Sequence, residues 1–378
     1  MSKKIEDLIG KKVLIIDGAM GTQLQNATIT QEQWTYEGAD LDGCNELLNL
    51  TAPEILETIH ENYAKAGADL ITTNTFGSMS WVLDEYDIGH TAYELSKLGA
   101  QAAKKVCDKY STLEKPRFVL ASVGPGTKLP SLGHIKYDDM FDGYKEMAQG
   151  LVDGGADVFL LETCQDPLQI KAALHALQDA APHIPIMVSV TIELSGTMLI
   201  GTDALTIAAI MEPFNILSLG FNCGTGPKQV YKHVKTLSEV SRFPISVHAN
   251  AGLPQNRGGQ TYYPMGPDEF TKLQKSFLDI NGVSMLGGCC GTTPEHIDKL
   301  YNEVKDIEPK ASCGFLKASL ASLFNTVPLK QDPAPLLIGE RSNATGSKAF
   351  RELLKANDYE GTLSVGQQQV RAGAHVVD

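Results

Sequence analysis

The stretch GVSMLGGCCGTTPEHI, residues 282–297, joins an apolar run to the first turn of a helix. The valine, methionine and leucine at its start are typical of a buried strand, and the run ends in glycine and cysteine. Thr293, Pro294 and Glu295 then supply a capping residue, a first helical position and an acid that the helix dipole favours. The stretch therefore predicts one strand followed directly by one helix.

The same strand-then-helix pattern occurs eight times along the chain. Each apolar run ends at or near a Gly, Asn, Asp or Cys and is followed by a segment with helical periodicity. The runs are VLIIDGAM (13–20), DLITTNTF (69–76), FVLASVGP (118–125), VFLLET (158–163), IMVSVTIE (186–193), ILSLGFNC (216–223), ISVHANAG (245–252) and GVSMLGGCC (282–290).

Eight such units predict an α/β fold, a (β/α)8 TIM barrel. The nearly continuous Val, Ile and Leu content fits parallel strands that are buried on both faces. AGAD at 66–69 and GGAD at 154–157 indicate glycine helix ends that lead directly into strands. A doubly wound open sheet is the alternative that the pattern leaves open.

The domain organisation follows from where this periodicity stops. We expect the barrel to occupy residues 1–310 and a linker to occupy residues 311–335, where the periodicity is lost. A new apolar run at 336–346, LLIGERSNATG, begins further elements that end on AHVVD at 374–378. Because two strands and their crossover cannot bury a core alone, we expect residues 336–378 to be the truncated start of a second (β/α)8 barrel.

Composition and charge exclude several classes of protein. The 378 residues carry a formal net charge of −13 without a Lys/Arg cluster, so we expect no nucleic-acid partner. No apolar run approaches the roughly 18 residues that a membrane span needs, so we expect no membrane partner. The N-terminal sequence MSKKIEDLIGKK lacks the apolar stretch of a secretory signal. We therefore expect a cytoplasmic protein.

Three of the seven cysteines point to a metal site. Cys223 ends the sixth run, and Cys289 and Cys290 end the eighth, so only the seventh strand separates them. The active site of such a barrel lies at these strand ends, and three thiolates with an open fourth position are typical of a catalytic zinc ion. Three buried apolar cysteines are the alternative. The remaining cysteines are expected to be structural or incidental: Cys44, Cys107, Cys164 and Cys313.

The predicted ligand set favours activation of a thiol over hydrolysis. Three thiolates leave Zn²⁺ with a net negative charge, so a bound water is acidified less than on a site of neutral histidines. A substrate thiol binds well in the open position and is deprotonated by the metal. Each unit of lowered pKa increases the thiolate fraction about tenfold, while its nucleophilicity drops only about threefold.

Three motifs resemble the zinc-dependent homocysteine methyltransferase family: DGAMGT at 17–22, GFNCGTGP at 220–227 and GGCCGTTPEHI at 287–297. The resemblance covers roughly residues 10 to 310. It implies a methyltransferase that converts homocysteine to methionine, with Cys223, Cys289 and Cys290 as the catalytic zinc ligands. Members of the family take the methyl group from methylcobalamin, betaine or S-methylmethionine, and the barrel motifs do not separate these donors.

The resemblance also implies where homocysteine binds. Asp17 and Glu162 match acidic positions near its amino group, and the backbone of Ala19 and Met20 lies where its carboxylate would be held. Both acids end predicted strands, so both should face the mouth of the barrel. A helix cap or a salt bridge within the barrel is the alternative role for each acid.

Three further polar residues lie at predicted strand ends. Asn74 and Ser122 are candidates for lining the substrate site, with a role in local turns as the alternative. His248 lies between the two cysteine-bearing strands. For His248 we favour a structural or supporting role beside the metal over a role as a ligand.

The tail distinguishes the methyl donors by resemblance. IGERSNATGS at 338–347 and QQQVRAGAHVVD at 367–378 resemble the opening of the pterin-binding barrel that follows this module in the cobalamin-dependent branch of the family. The chain then corresponds to the N-terminal fragment of such an enzyme. Glu340, Asn343 and Asp378 would end strands of that barrel, but we expect no folate binding from this chain alone.

The implied partners follow from that resemblance. There is no recognisable DxHxxG cobalamin-binding motif, so methylcobalamin is expected as a co-substrate brought by another module. Methyltetrahydrofolate is expected to act only through the complete second domain. Two alternatives stay open: a homocysteine methyltransferase that uses betaine or S-methylmethionine, and a non-enzymatic zinc scaffold for docking.

Overall fold

The computed structural model describes residues 3–258 and 260–378. Its central sheet contains eight parallel strands, labelled β1 to β8 in chain order: Leu14–Ile15, Leu70–Thr72, Phe118–Val123, Val158–Cys164, Ile186–Val190, Ser218–Asn222, Ile245–Ala249 and Val283–Gly288. Each strand pairs with the next one along the chain from β2 to β8, and β8 pairs with β1.

The sheet closes between β1 and β2. A parallel bridge joins Ile16 to Leu70, and Asp17 N donates to Leu70 O at 3.1 Å while Asp69 N donates to Ile15 O at 2.7 Å. Because β1 also pairs with β8, the strands form a ring. The predicted (β/α)8 barrel is confirmed, and the doubly wound open sheet is wrong.

Apolar side chains cover both faces of this ring, as the continuous apolar runs require. Leu14, Ile16 and Leu160 pack with their neighbours inside the barrel. Ile15 and Leu161, one position away, belong to the larger core between the strands and the surrounding helices. Alternation along each strand therefore fills the barrel interior and also attaches the helical layer.

Helices surround the ring. Within the described residues, the α-helices of the barrel are labelled α1 to α11 in chain order, and α11 follows β8. They are Met20–Asn26, Leu48–Thr51, Pro53–Lys65, Ser80–Leu83, Ala92–Tyr110, Tyr137–Asp153, Pro167–Ala180, Ala204–Met211, Pro227–Val240, Pro267–Ser276 and Pro294–Val304. Short 3-10 turns occupy Ile5–Asp7, Asn45–Leu47, Asp84–Tyr86, Gly89–Thr91, Pro130–Leu132 and Phe277–Asp279.

The predicted helix boundaries are confirmed at the two cysteine loops. Thr293 caps α11, and its hydroxyl lies 2.9 Å from His296 Nδ1. Pro227 is the first residue of α9. Both helices start within four residues of a predicted zinc ligand, so each cysteine loop is held between a strand end and a helix start.

The elements outside the barrel are short. Antiparallel pairs join Thr35–Tyr36 to Ala39–Asp40, Gln255–Arg257 to Gln260–Tyr262 and Ser319–Ala321 to Thr326–Pro328. Ile338–Gly339 pairs in parallel with Val376–Val377. Two helices connect these strands along the chain, α12 (Lys348–Lys355) and α13 (Tyr359–Arg371). Within the described ranges, none of the helices is long and apolar enough to cross a membrane.

The predicted linker at 311–335 contains the hairpin of Ser319–Ala321 and Thr326–Pro328, which packs on α8. Thr202 Oγ1 donates to Leu323 O at 2.6 Å, and Thr326 Oγ1 donates to Thr206 Oγ1 at 3.3 Å. Strands of three residues are too short for an alternation of polar and apolar residues to predict such a hairpin.

Gly67 joins α3 to β2 in a left-handed conformation, with φ of +104°. A Cβ at this position would lie 2.5 Å from Cδ1 of the Tyr301 ring. We expect Gly67→Ala to lower the free energy of unfolding by about 3 kcal/mol, from backbone strain and overpacking together. Urea unfolding measures this change.

Gly133→Ala is the matched control, because Gly133 also has a positive φ, +75°, but no atom lies within 4 Å of its added Cβ. This variant should lose only about 1 kcal/mol, from backbone strain. Equal losses in the two variants would contradict the importance of the Tyr301 contact.

Candidate metal and amino-acid site

A cavity of about 390 Å³ opens at the C-terminal ends of the strands. This volume is within the usual range for small-molecule sites, roughly 300–1,000 Å³. All of the residues predicted for the site line it, together with His248: Asp17, Ala19, Met20, Asn74, Ser122, Glu162, Cys223, Cys289 and Cys290. Closure of the barrel brings together residues that are more than 270 positions apart in sequence.

The sulfur atoms of Cys223, Cys289 and Cys290 form one cluster, in which all lie within 4.8 Å of one another. Those of Cys223 and Cys290 are 3.9 Å apart. Sulfur atoms bound tetrahedrally to one zinc ion at about 2.3 Å would be about 3.8 Å apart. The spacing therefore fits a common metal ion.

Strand register explains how the cysteines meet. Asn222 of β6 pairs with His248 of β7, and His248 pairs with Gly287 of β8, so the three strands end in one row. Cys223 follows β6 with a φ of +57°, a conformation that residues with a Cβ seldom adopt. This bend turns the chain at the mouth, and such strain is commonest at functional sites.

Hydrogen bonds between the thiols distribute charge unequally. The contacts with Cys223 and Cys289 lower the pKa of the Cys290 thiol to about 3. The contact with Cys223 raises the pKa of Cys289. Burial and mutual contact therefore oppose the ionisation of all three thiols together. A divalent cation is needed to stabilise three thiolates together.

Thr292 ties the cysteine loop to the loop after β1. Its hydroxyl donates to Cys289 O at 2.7 Å and accepts from Ala19 N at 3.2 Å. The buried Tyr63 hydroxyl lies 3.2 Å from both Ala19 O and Thr292 O. A Cβ on Gly18 would lie 2.7 Å from the Tyr63 ring, so glycine is needed for this close approach. The motifs DGAMGT (17–22) and GGCCGTTPEHI (287–297) are therefore held together by direct contacts.

Two buried carboxyl groups share the cavity with the sulfurs. Burial raises the pKa of Asp17 to about 8, partly offset by hydrogen bonds from Thr72 N at 2.8 Å and Thr72 Oγ1 at 2.6 Å. Burial likewise raises the pKa of Glu162 to about 7. No Lys or Arg is among the described residues that line the cavity. Its fixed groups therefore favour a cationic ligand.

The other predicted lining residues support these acids or the wall of the cavity. Ser122 Oγ donates to Glu162 Oε1 at 2.5 Å, which orients that carboxyl group. Asn74 Nδ2 donates to Asn45 O at 2.8 Å and to Asn49 Oδ1 at 3.1 Å, which anchors the neighbouring loop. Met20 is the first residue of α1, and Ala19 N is occupied by Thr292.

His248 lines the cavity. Among the described residues, the group that could hold a metal contains the three cysteines and not His248. Its Nε2 is buried without a hydrogen-bond partner in the described part of the chain, and burial lowers the pKa of the imidazole to about 3. The other cysteines also lie outside the cluster: Cys44, Cys107 and Cys164 are buried and Cys313 is exposed.

Three residues in or beside the site were not predicted. The Asn222 side chain contacts both Glu162 and Cys289, at 3.5 Å and 3.9 Å. The hydroxyl of Tyr263, from the loop after β7, hydrogen-bonds to Cys290. Asn250 Oδ1 is buried without a partner among the described residues. Its neighbours Ala249 O and Ala251 N hydrogen-bond to the backbone of the cysteine pair, each at 2.9 Å. The position of Asn222 in GFNCGTGP, beside Cys223, was the available sequence signal.

Residues 14–304 match the homocysteine S-methyltransferase family. Because this match spans most of the chain and contains the whole barrel mouth, the chain belongs to that family of methyltransferases.

Longer relatives refine the comparison. The chain is 44% identical over 376 residues to the methionine synthase of Mycobacterium tuberculosis. This alignment covers 98% of the chain and 31% of that protein. The methionine synthase of Mycobacterium leprae is 44% identical over 385 aligned residues, with the same coverage. The chain thus spans about a third of the length of these relatives.

Solved structures agree on the fold. The metallated form of the homocysteine methyltransferase MmuM from Escherichia coli has a TM-score of 0.61 at 22% identity, covering 78% of this chain and 96% of that one. Its oxidized form also has a TM-score of 0.61, at 21% identity, covering 79% and 97%. These structures support the barrel assignment independently of the sequence motifs.

The raised pKa of Asp17 predicts a pH dependence of stability. Between pH 4 and 8 the folded protein retains a proton on Asp17 that the unfolded chain, with an ordinary pKa of 3.8, has released. Stability therefore falls as pH rises through this window. Asp17→Asn cannot ionise, so we expect the unfolding free energy of the wild type, relative to this variant, to fall from pH 4 to 8. Urea unfolding of both proteins across this range tests it, and parallel curves would contradict it.

Proposed function

We propose that this chain binds a zinc ion through Cys223, Cys289 and Cys290 and catalyses methylation of the homocysteine thiol to give methionine. The observation that carries the proposal is the placement of three clustered sulfurs and two buried carboxyl groups in one cavity. Sulfur ligands suit zinc, and unpaired buried acids suit an ammonium group.

The donor set fits a catalytic zinc ion. Three protein sulfurs leave one tetrahedral position, and the cluster faces a cavity large enough for a substrate. Asn250 adds a buried amide oxygen without a partner, next to residues that hydrogen-bond to the cysteine pair. We propose this oxygen as the fourth ligand when no thiol is bound.

The amino-acid end of homocysteine would bind on the other side of the cavity. Asp17 and Glu162 pair with the ammonium group, and that cation in turn favours their ionised forms. The carboxylate would lie against the backbone of Ala19 and Met20 at the start of α1, where N–H groups of the first helical turn favour an anion, while the Ala19 N–H itself stays bonded to Thr292. Ser122 keeps Glu162 oriented toward this ligand.

Zinc, when bound, would supply Lewis acidity that deprotonates the substrate thiol near neutral pH. The residues of the chain hold the resulting thiolate sulfur at the mouth, where its lone pair attacks the methyl carbon of the donor. The new S–CH₃ bond forms as the bond between that carbon and the donor breaks. With methylcobalamin, the Co–C electron pair stays on cobalt and the product is cob(I)alamin.

Methylcobalamin is the donor that we favour. The methionine synthases match 98% of the chain, so the match extends beyond the barrel into residues 336–378. We propose that residues 1–310 form the homocysteine domain, that 311–335 are a linker and that 336–378 begin a pterin-binding domain. Ile338 and Leu363 are 57% and 63% exposed, as expected of surfaces that further strands would cover. Methyltetrahydrofolate would act only through that complete domain, and cobalamin would come from another module.

Zinc content tests the ligand assignment. We expect one zinc ion per chain by elemental analysis, and Cys289→Ala should lose it because only two sulfurs remain. Cys164→Ala is the matched control, since Cys164 is buried but outside the cluster. Equal zinc content in all three proteins would refute the assignment.

X-ray absorption at the zinc edge tests the chemistry. Homocysteine should add one sulfur to the zinc coordination sphere, and methylcobalamin should then yield methionine. A zinc sphere that is already closed and does not change with homocysteine would favour a structural scaffold. Methionine formed from betaine or S-methylmethionine, but not from methylcobalamin, would identify a different donor.

A further inference from the structure

The Asn222 side chain lies between the sulfur cluster and the amino-acid site, and it is 2% exposed. Its Oδ1 accepts hydrogen bonds from Ser189 Oγ at 2.7 Å and from Thr163 N at 2.8 Å. Because the backbone N–H of Thr163 can only donate, Oδ1 must face it, which fixes the orientation of the amide. Nδ2 therefore faces the site.

The amide nitrogen has two hydrogens for three acceptors. One N–H bonds to Thr163 Oγ1 at 2.8 Å. The other is directed between Glu162 Oε2 at 3.5 Å and Cys289 Sγ at 3.9 Å. Both of these contacts are longer than the Thr163 bond, as expected when one N–H is shared between two acceptors.

We propose that Asn222 is a positioning residue that couples occupancy of the amino-acid site to the metal-binding sulfur of Cys289. The proposal rests on the proposed function, in which Glu162 receives the substrate ammonium and Cys289 binds zinc. When the ammonium pairs with Glu162, the carboxylate attracts the shared N–H less strongly. The N–H then turns to Cys289.

A stronger N–H···S bond draws electron density from the Cys289 thiolate, so that ligand donates less to the metal. The metal then binds the incoming substrate thiol more tightly. Binding of the amino group thus favours binding of the thiol, and by linkage the reverse holds. The site would select homocysteine over thiols without an amino group by more than the ion pair alone provides.

Two thiols separate these contributions. Homocysteine carries the amino group, and 4-mercaptobutanoate has the same thiol and carboxylate without it. Calorimetric titration of the zinc-loaded wild type gives the dissociation constant of 4-mercaptobutanoate divided by that of homocysteine. In Asn222→Ala we expect this ratio to fall by about fivefold or more, since coupling free energies usually correspond to factors of 5–150.

Ser189→Ala is the matched control, because it removes one partner of Oδ1 and leaves both N–H groups of Asn222 in place. Its ratio should stay within about twofold of the wild type. An unchanged ratio in Asn222→Ala at full zinc content overturns the coupling, because the amino group then gains nothing from the shared N–H. If neither thiol binds the wild-type zinc, the proposed function itself fails.

A wild-type measurement covers the case in which Asn222→Ala loses its zinc. Norleucine has the amino group without a thiol, and hexanoate has neither. We expect saturating norleucine to speed zinc release to a chelator several-fold relative to hexanoate, because the shared N–H then bonds to Cys289 and weakens the donation of that thiolate to the metal. Equal release rates would overturn the coupling.

Discussion

Repulsion between three clustered thiolates is the constraint on which the rest of this site depends. Two unit charges about 4 Å apart interact by about 4 kcal/mol at the effective dielectric constant of a protein surface. The three sulfurs lie within 4.8 Å of one another, so they cannot all be ionised without a cation between them. The protein holds the cluster with bonds that do not require the metal: Thr292 to Cys289, Tyr63 to Thr292, and the backbone ladder of β6, β7 and β8.

The same charge argument extends to the whole cavity. Two buried acids lie in a cavity whose described lining has no Lys or Arg, so unbound acids retain protons more readily than in water. In the proposed function, a zwitterionic amino acid would satisfy this arrangement with its ammonium group at the acids and its carboxylate away from them. In the proposed function the backbone at Ala19 and Met20 would receive the carboxylate without a basic side chain, so the cavity would favour a cation without attracting anions in general.

Much of the fold could be predicted because its signals are local. Seven of the barrel strands lie within their predicted runs, β4 extends one residue beyond its run to Cys164, and the predicted starts of α9 and α11 match. The three cysteines, Asn74 and Ser122 followed from one geometric rule, that parallel strand ends meet at one face. The roles of Asp17, Glu162, Ala19 and Met20 came from the family resemblance. β1 is shorter than its run, because only the bridge at Ile16 continues the pairing before α1 begins at Met20; between them, the Asp17 carboxyl group accepts hydrogen bonds from Thr72 of β2.

The contacts that could not be predicted are those that depend on side-chain placement across strands. Asn222 is adjacent to Cys223, yet its partners Thr163 and Ser189 come from β4 and β5, and no periodicity reports that meeting. Tyr263 reaches Cys290 because Gly291, with a φ of +80°, has no side chain to block its ring. The unpartnered Oδ1 of Asn250 depends in the same way on which groups surround it after closure.

The segment after the barrel shows how distant elements affect the mouth. Leu323 lies in the hairpin of Ser319–Ala321 and Thr326–Pro328, and its carbonyl oxygen accepts a hydrogen bond from the Thr202 hydroxyl. Thr202 O in turn accepts from Met198 N at 2.8 Å. The loop then continues toward β4, where Leu199 N donates to Gln165 Oε1 at 2.7 Å. Gln165 is three residues beyond Glu162. Hydrogen bonds and short covalent steps therefore connect the hairpin to Gln165, so residues that follow the barrel in sequence are tied to the loop just beyond the acid-bearing strand β4.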